Sequence, residues 1–395
     1  LGDGGLVAAT VTGIGRKTWE NYGTVNLDGN SYIDLHDGVY FSTFNNKAGG
    51  VLNANSTHAT AIRSEAVTLN GVFNNAGTLN VNATTALQAK FSQSSSGILN
   101  INGSASLNMQ HLDVAAGTIN LNSAASYALT LPSQFSGLSK FDGASIVGVS
   151  GFRRMQIGTS GSTSNSVTFN NVSTSGGLGV SVPELGTLNF SGANSFSDTK
   201  FFKGDAGANN NWVVPVATYL GNVEWWAKGD ISFAGDVSFG GSVTLGAGWD
   251  SDIATPGVTA GSGSIQVIDK QVQSGGAMTL KSGGDILIKR NLPGSTRVES
   301  AATMAVETWG DLTLVNWFDP GGSVELKSAG NQSILLKGAA SDLVVQASAG
   351  GAGGGFTRIG SGGTQTINFD AAGVHTLVLT GGMIGTSSAS GAGAS

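Results

Sequence analysis

Apolar and polar residues alternate along most of this chain, with glycine as the punctuation, and between Trp19 and Ser123 one phrase is written five times. Its copies are Gly23-Thr24-Val25-Asn26-Leu27, Gly50-Val51-Leu52-Asn53-Ala54, Gly77-Thr78-Leu79-Asn80-Val81, Gly97-Ile98-Leu99-Asn100-Ile101 and Gly117-Thr118-Ile119-Asn120-Leu121. The five glycines lie 27, 27, 20 and 20 residues apart. In each copy two apolar residues flank an Asn, and they face away from it only if the backbone is extended. A unit of about 20 residues is too short for a strand plus a packed crossover helix, which takes roughly 30. It suits one turn of a coil built from short strands and tight bends, stacked at the ~4.8 Å spacing of paired strands. The pattern therefore predicts an all-β chain wound as a parallel β-helix, a β-solenoid with irregular insertions.

A second recurrence precedes the glycine: Trp19-Glu20-Asn21, Phe44-Asn45-Asn46 and Phe73-Asn74-Asn75, with Phe91 and Leu112 at matching places. Large apolar residues at one corner of successive coils predict an interior column through Phe44, Phe73 and Phe91. The neighbouring Asn residues suit bends, where they tolerate left-handed backbone and bond to it. Aligned coils would also stack Asn26, Asn53, Asn80, Asn100 and Asn120 into a structural ladder.

The rest of the chain keeps the theme in other dialects. Asn-rich coils are expected over 1–199, weakening between Ala125 and Phe169 and returning at Gly186-Thr187-Leu188-Asn189-Phe190. Residues 200–228 are aromatic-rich and read as an insertion or a widened coil, in which Trp212, Tyr219, Trp225 and Trp226 are either interior or a stacking patch for a sugar or a partner. From 229 to 385 the strands follow Gly-Asp and Gly-Ser turns, as in Gly235-Asp236-Val237-Ser238-Phe239 and Gly284-Asp285-Ile286-Leu287-Ile288. Residues 386–395 form a small-residue tail, a linker or an arm for a neighbouring molecule.

Composition narrows the function. Glycine supplies 62 of 395 residues and proline only 6, which fits many tight turns. Charged residues are 11% and the net charge is −6, so nucleic acid, which needs clustered Lys and Arg, is not an expected partner. The absence of cysteine removes disulfides, thiolate metal sites and a Cys nucleophile, and suits export through a bacterial envelope. No apolar run of membrane-spanning length occurs, and a chain that starts at Leu1 reads as a processed or excised segment.

The run from Gly241 to Asp250, the paired phrases Gly276 to Leu280 and Gly284 to Ile288, and the Asn74 to Val81 phrase resemble repeats of filamentous-haemagglutinin-like and autotransporter-type secreted bacterial exoproteins. The resemblance implies a right-handed parallel β-helix, an extracellular or cell-surface location, an outer-membrane secretion partner, and work in adhesion or matrix building.

Candidate chemistry is sparse. Acid clusters occur at Asp34, His36 and Asp37, at Asp250 and Asp252, and at Glu299 and Glu307 among Arg297 and Trp309. None repeats so as to converge three acids on one groove, so no enzyme activity and no cofactor are expected. Asp250 and Asp252 are the one option for Ca²⁺, without the nonapeptide of calcium-loaded solenoids. The expected function is a structural solenoid in a bacterial surface fibre, sheath or adhesin shaft that associates with itself. The alternatives are a glycan- or host-binding adhesin using Trp212 to Trp226, and a polysaccharide-degrading β-helix enzyme.

Overall fold

A computed structural model describes residues 6–7, 17–36, 40–64, 71–131, 139–149, 153–158, 166–182, 186–204, 210–252, 255–317, 321–347, 355–370, 373–380 and 383–386. Among these residues the regular structure is entirely β, with no helix, and the strands pair in parallel with partners about one coil away in sequence. The fold is a parallel β-helix. The chain divides into two compact units, Leu1–Thr199 and Lys200–Ser395, each wound in this way.

In the first unit each turn visits three faces. The strands Thr18–Asn21, Thr24–Leu27 and Ile33–Asp34 make one turn, and Thr43–Asn46, Val51–Ala54 and Thr60–Arg63 lie on them in register. Alternation then decides what is inside. Val25, Leu52, Leu79, Leu99 and Ile119 are in-register partners and all are buried. Trp19, Phe44, Phe73, Phe91 and Leu112 form the next inward row, with ring centroids 5.1, 5.5 and 5.3 Å apart along its aromatic part. These are the tilted and edge-on geometries that aromatic quadrupoles favour. A second aromatic column, Phe141, Phe169 and Phe190, stacks further along on Ala115, the in-register partner of Gln93 rather than of Phe91.

The two repeat lengths have a geometric cause. In the 27-residue turns the third-face strand and the next first-face strand are separate elements, as Thr60–Arg63 and Val72–Asn75 are. In the 20-residue turns that separation disappears: Thr85–Gln93 pairs first with Thr60–Arg63 and then with Val72–Asn75, so one strand bends across two faces. Leu107–Leu121 does the same and runs on into the following face.

The second unit also has three ladders. One sheet stacks Trp212–Val214, Ile231–Phe233, Ile265–Ile268, Ile286–Arg290, Leu312–Asn316, Leu343–Gln346 and Leu377–Thr380. A second ladder runs from Val223–Ala227 through Val243–Ala247, Met278–Ser282 and Met304–Thr308 to Gln332–Leu336 and Gln365–Phe369. The third carries Val237–Phe239, Gln271–Ser274, Thr296–Ser300, Ser323–Ser328, Phe356–Ser361 and Met383–Thr386. Across 200–228 the strands Thr199–Lys203, Trp212–Val214, Thr218–Tyr219 and Val223–Ala227 pair with strands of neighbouring coils, as a coil's own strands do. Of the tail 386–395, all but Thr386 lies outside the described residues.

Candidate functional site

The Asn rows are a hydrogen-bonded side-chain system on three parallel lines. On the outward side of the Gly-x-x-Asn strands, Asn53, Asn80, Asn100 and Asn120 each donate Nδ2–H to the Oδ1 of the Asn one coil earlier, starting at Asn26, over 2.7 to 2.8 Å. An exposed line beside it runs from Asp28 through Asn55, Asn82 and Asn102 to Asn122. The third line is internal. Asn21 donates to Asn46, Asn46 to Asn75, and Asn75 to Gln93, at 2.8, 2.8 and 2.9 Å, and all four side chains are buried. Each second amide hydrogen goes to a backbone carbonyl of the following phrase, those of Val51, Thr78 and Ile98, while Gln93 reaches Ala116 and Thr118.

The expectation that these corner Asn residues take left-handed backbone is corrected by this arrangement. They lie within strands, and the positive-φ residues other than glycine, among the described ones, are Asn171, Asp198, Ser251 and Asp269. An inward amide in a parallel stack meets its copy ~4.8 Å away, and donor and acceptor then satisfy each other. The second unit places Ser and Thr at the comparable strand ends. Ser282, Ser300, Ser328 and Ser361 are fully buried and hydrogen-bond to turn carbonyls such as those of Asp285, Thr303 and Gly330.

The aromatic stretch is interior. Trp212, Tyr219, Trp225 and Trp226 are at most 3% exposed. Trp225 stacks on Phe201 at 4.1 Å between centroids and meets Trp212 edge-on at 5.1 Å. Trp212 Nε1–H donates to the Trp226 carbonyl, and Tyr219 Oη–H to that of Pro215; burial pushes the Tyr219 phenol far above its ordinary pKa. Trp226 sits on the opposite side of its strand from Trp225, yet it is covered by Phe202, Trp249 and Val258. Gly246, its cross-strand partner, makes room for it: a Cβ there would collide with the Trp226 ring. With the four side chains at most 3% exposed, the structure favours the interior alternative over the sugar-stacking one.

Asp250 and Asp252 lie in the covering loop beyond Trp249. Asp250 Oδ1 accepts the N–H of Asp252, and Asp252 accepts both the N–H and the hydroxyl of Thr255, so the carboxylates fasten the loop to itself. Among the described residues no three His, Cys, Asp or Glu side chains gather as a metal-ion cluster would require. Asp34, His36, His58 and Arg63 border a cleft of about 530 Å³ on the first unit. The His58 ring stacks on Tyr32 at 4.4 Å and its Nδ1 is tied to the backbone of Thr60. Asp37 lies outside the described residues.

The densest charge lies on the outer face of the second unit. Arg297, Glu325 and Arg358 are in-register partners on three successive coils, and Glu299, Lys327 and Gly360 form the next row. The Glu325 carboxylate, 4% exposed, accepts from Ser323 Oγ at 2.8 Å and from the Arg358 guanidinium. Arg297 Nε stands 3.0 Å from Glu325 Oε1 but off the hydrogen-bonding direction. Burial alone would raise the Glu325 pKa; the bonds from Ser323 and Arg358 and the charges of Arg358 and Arg297 outweigh it and hold the group below the usual glutamate value. Lys327 pairs with Glu299 at 3.2 Å, and Lys337 with Glu307 at 2.7 Å while lying over the Trp309 ring. The sequence carried a faint signal for the first row, because Arg297, Glu325 and Arg358 are 28 and 33 residues apart.

Comparison of the chain with known protein families, curated proteins and solved structures finds no match.

Proposed function

We propose that this chain is a non-enzymatic structural β-solenoid, the shaft of an extracellular surface fibre, sheath or adhesin of the haemagglutinin-like exoprotein kind. One observation carries the reading. In the first unit the recurring Asn and Gln side chains are spent on coil-to-coil ladders, inside through Asn21, Asn46, Asn75 and Gln93 and outside through Asn26 to Asn120. Such ladders add cohesion along the stacking direction, the direction in which a shaft bears load.

The partner implied is another copy of the same chain. An outer face lined with neutral amides is hydrated but repels its own copy weakly, which favours lateral bundling. Backbone edges of parallel strands can extend the stack wherever they are uncovered. The test is electron microscopy of the purified chain at rising concentration. Fibres or bundles with a repeat along the stacking direction are expected. Dispersed single particles at the highest concentration would overturn self-association, and turnover of an acidic or neutral polysaccharide would overturn the non-enzymatic reading.

A further inference from the structure

We propose that the trough over Arg297, Lys327 and Arg358 on the second unit binds the carboxylate of a hexuronate residue in an acidic polysaccharide. The inference is independent of the structural role above, since it concerns one lateral patch and not the assembly of coils. The trough is lined by Arg297, Glu299, Glu325, Lys327, Phe356 and Arg358 and encloses about 170 Å³. That is well below the several hundred Å³ of a pocket for a drug-sized ligand and suits one sugar ring.

Its form follows from the register. On the coils carrying Thr296–Ser300 and Ser323–Ser328, the second outward position holds Glu299 and then Lys327; on the next coil it is Gly360, partnered in turn by Gly385. The row of long side chains therefore ends at Lys327, whose ammonium leans back to Glu299 at 3.2 Å. In the adjoining row the buried Glu325 carboxylate lies between the two arginines. It holds two guanidinium groups two coil steps apart without net repulsion. Both arginines stay within reach of a ligand, because the Arg297 and Arg358 side chains remain 41% and 33% exposed beside the buried glutamate.

The charge balance selects the ligand. Three cations against Glu299 and Glu325 leave one net positive charge in a chain whose total is −6. A planar monoanion that accepts two parallel N–H bonds matches a guanidinium fork better than a phosphate dianion, which the two glutamates would repel. Glu299 is placed to accept hydroxyl hydrogens, and the Phe356 ring, beneath Arg358 at 5.3 Å, gives an apolar flank for the C–H face of a pyranose. The trough lies on the outer face of a strand ladder, which lets a polymer pass through.

Isothermal titration calorimetry of the full chain with a short oligogalacturonate at low salt tests this, with a neutral cello-oligosaccharide and inorganic sulfate as comparison probes. Binding to the uronate is expected, with Arg358→Gln weakening it about tenfold or more. Lys327→Gln, which leaves the Glu325 cluster intact and so guards against misfolding, should weaken it by several-fold. Lys281→Gln, on another ladder, should leave it unchanged. Absent binding, equal affinity for the neutral sugar, unchanged affinity in both site variants, or sulfate binding as tightly as the sugar would each overturn the assignment.

Discussion

Replacing Asn75 with Ala isolates what the internal amide ladder contributes. Asn75 is 1% exposed; its Oδ1 accepts from Asn46, and its Nδ2 donates to Gln93 Oε1 at 2.9 Å and to the Ile98 carbonyl at 3.2 Å. In Asn75→Ala, Asn46 Nδ2 keeps the Thr78 carbonyl and its Oδ1 still accepts from Asn21, but Gln93 Oε1 is left buried without a donor. One orphaned buried acceptor costs about 1–3 kcal/mol, and the other lost bonds about 1 kcal/mol each. With the space the amide leaves behind, the total is about 3–5 kcal/mol. Asn80→Ala removes the same chemistry from the solvent-facing ladder, where water replaces the lost partners, and should cost about 1 kcal/mol or less. Hydrogen–deuterium exchange over Val72–Asn75 and Ile98–Ile101 reads both. Exchange should rise by roughly two to four orders of magnitude in Asn75→Ala and by less than about tenfold in Asn80→Ala. Equal effects would refute the claim that burial makes the inner ladder the stronger device.

Trp225→Ala should lower stability by about 3–5 kcal/mol, because it empties the space stacked between Phe201 and Trp212; an unchanged thermal midpoint by circular dichroism would contradict an interior position. Gly246→Ala puts a methyl group into the Trp226 ring and should cost at least about 1–3 kcal/mol, measured by urea unfolding followed through tryptophan fluorescence, whereas Gly261→Ala meets open space and is strained only by its positive φ. The depressed Glu325 pKa means that its stabilisation is fully present above the unfolded-state value of about 4.5 and is lost as pH falls through the lower folded value. Glu325→Gln should therefore flatten the fall in thermal midpoint as pH drops below about 4.5. An identical acid slope in both proteins would contradict the coupling.

The coil pattern was legible wherever one residue type recurred at a fixed offset from a glycine. The Gly-x-x-Asn phrase gives the register Val25, Leu52, Leu79, Leu99 and Ile119 directly, because a one-residue slip would turn every leucine outward. The change from 27 to 20 residues was visible as arithmetic, but not its cause, since one strand that bends across a corner and two separate strands there use similar polar residues. The inward Asn row was hidden by chemistry: Asn is common at bends, and only stacking against its own copies makes it an acceptable interior residue. The aromatic stretch was ambiguous for another reason. Adjacent residues of a strand point to opposite faces, so Trp225 and Trp226 cannot both enter one core, and alternation alone left one of them outside. What buries Trp226 is the loop around Trp249 and Val258, a contact with no local signature except the glycine at 246. The charged rows were scattered for a similar reason. Loops of unequal length separate Arg297, Glu325 and Arg358, so their alignment emerges only once the strands are paired.

The central claim is that successive repeats lie directly on one another in parallel register, and a chain with no native cysteine allows a clean test by paired substitution. Asn80 and Asn100 are in-register partners on adjacent coils, at the strand spacing of ~4.8 Å that a disulfide can span. Asn53 and Asn100 share the row two coils apart. Under mild oxidation Asn80→Cys/Asn100→Cys should close into an intramolecular disulfide almost completely, while Asn53→Cys/Asn100→Cys should stay reduced. Cross-linking of both pairs alike, or of neither, would contradict the stacked-coil account.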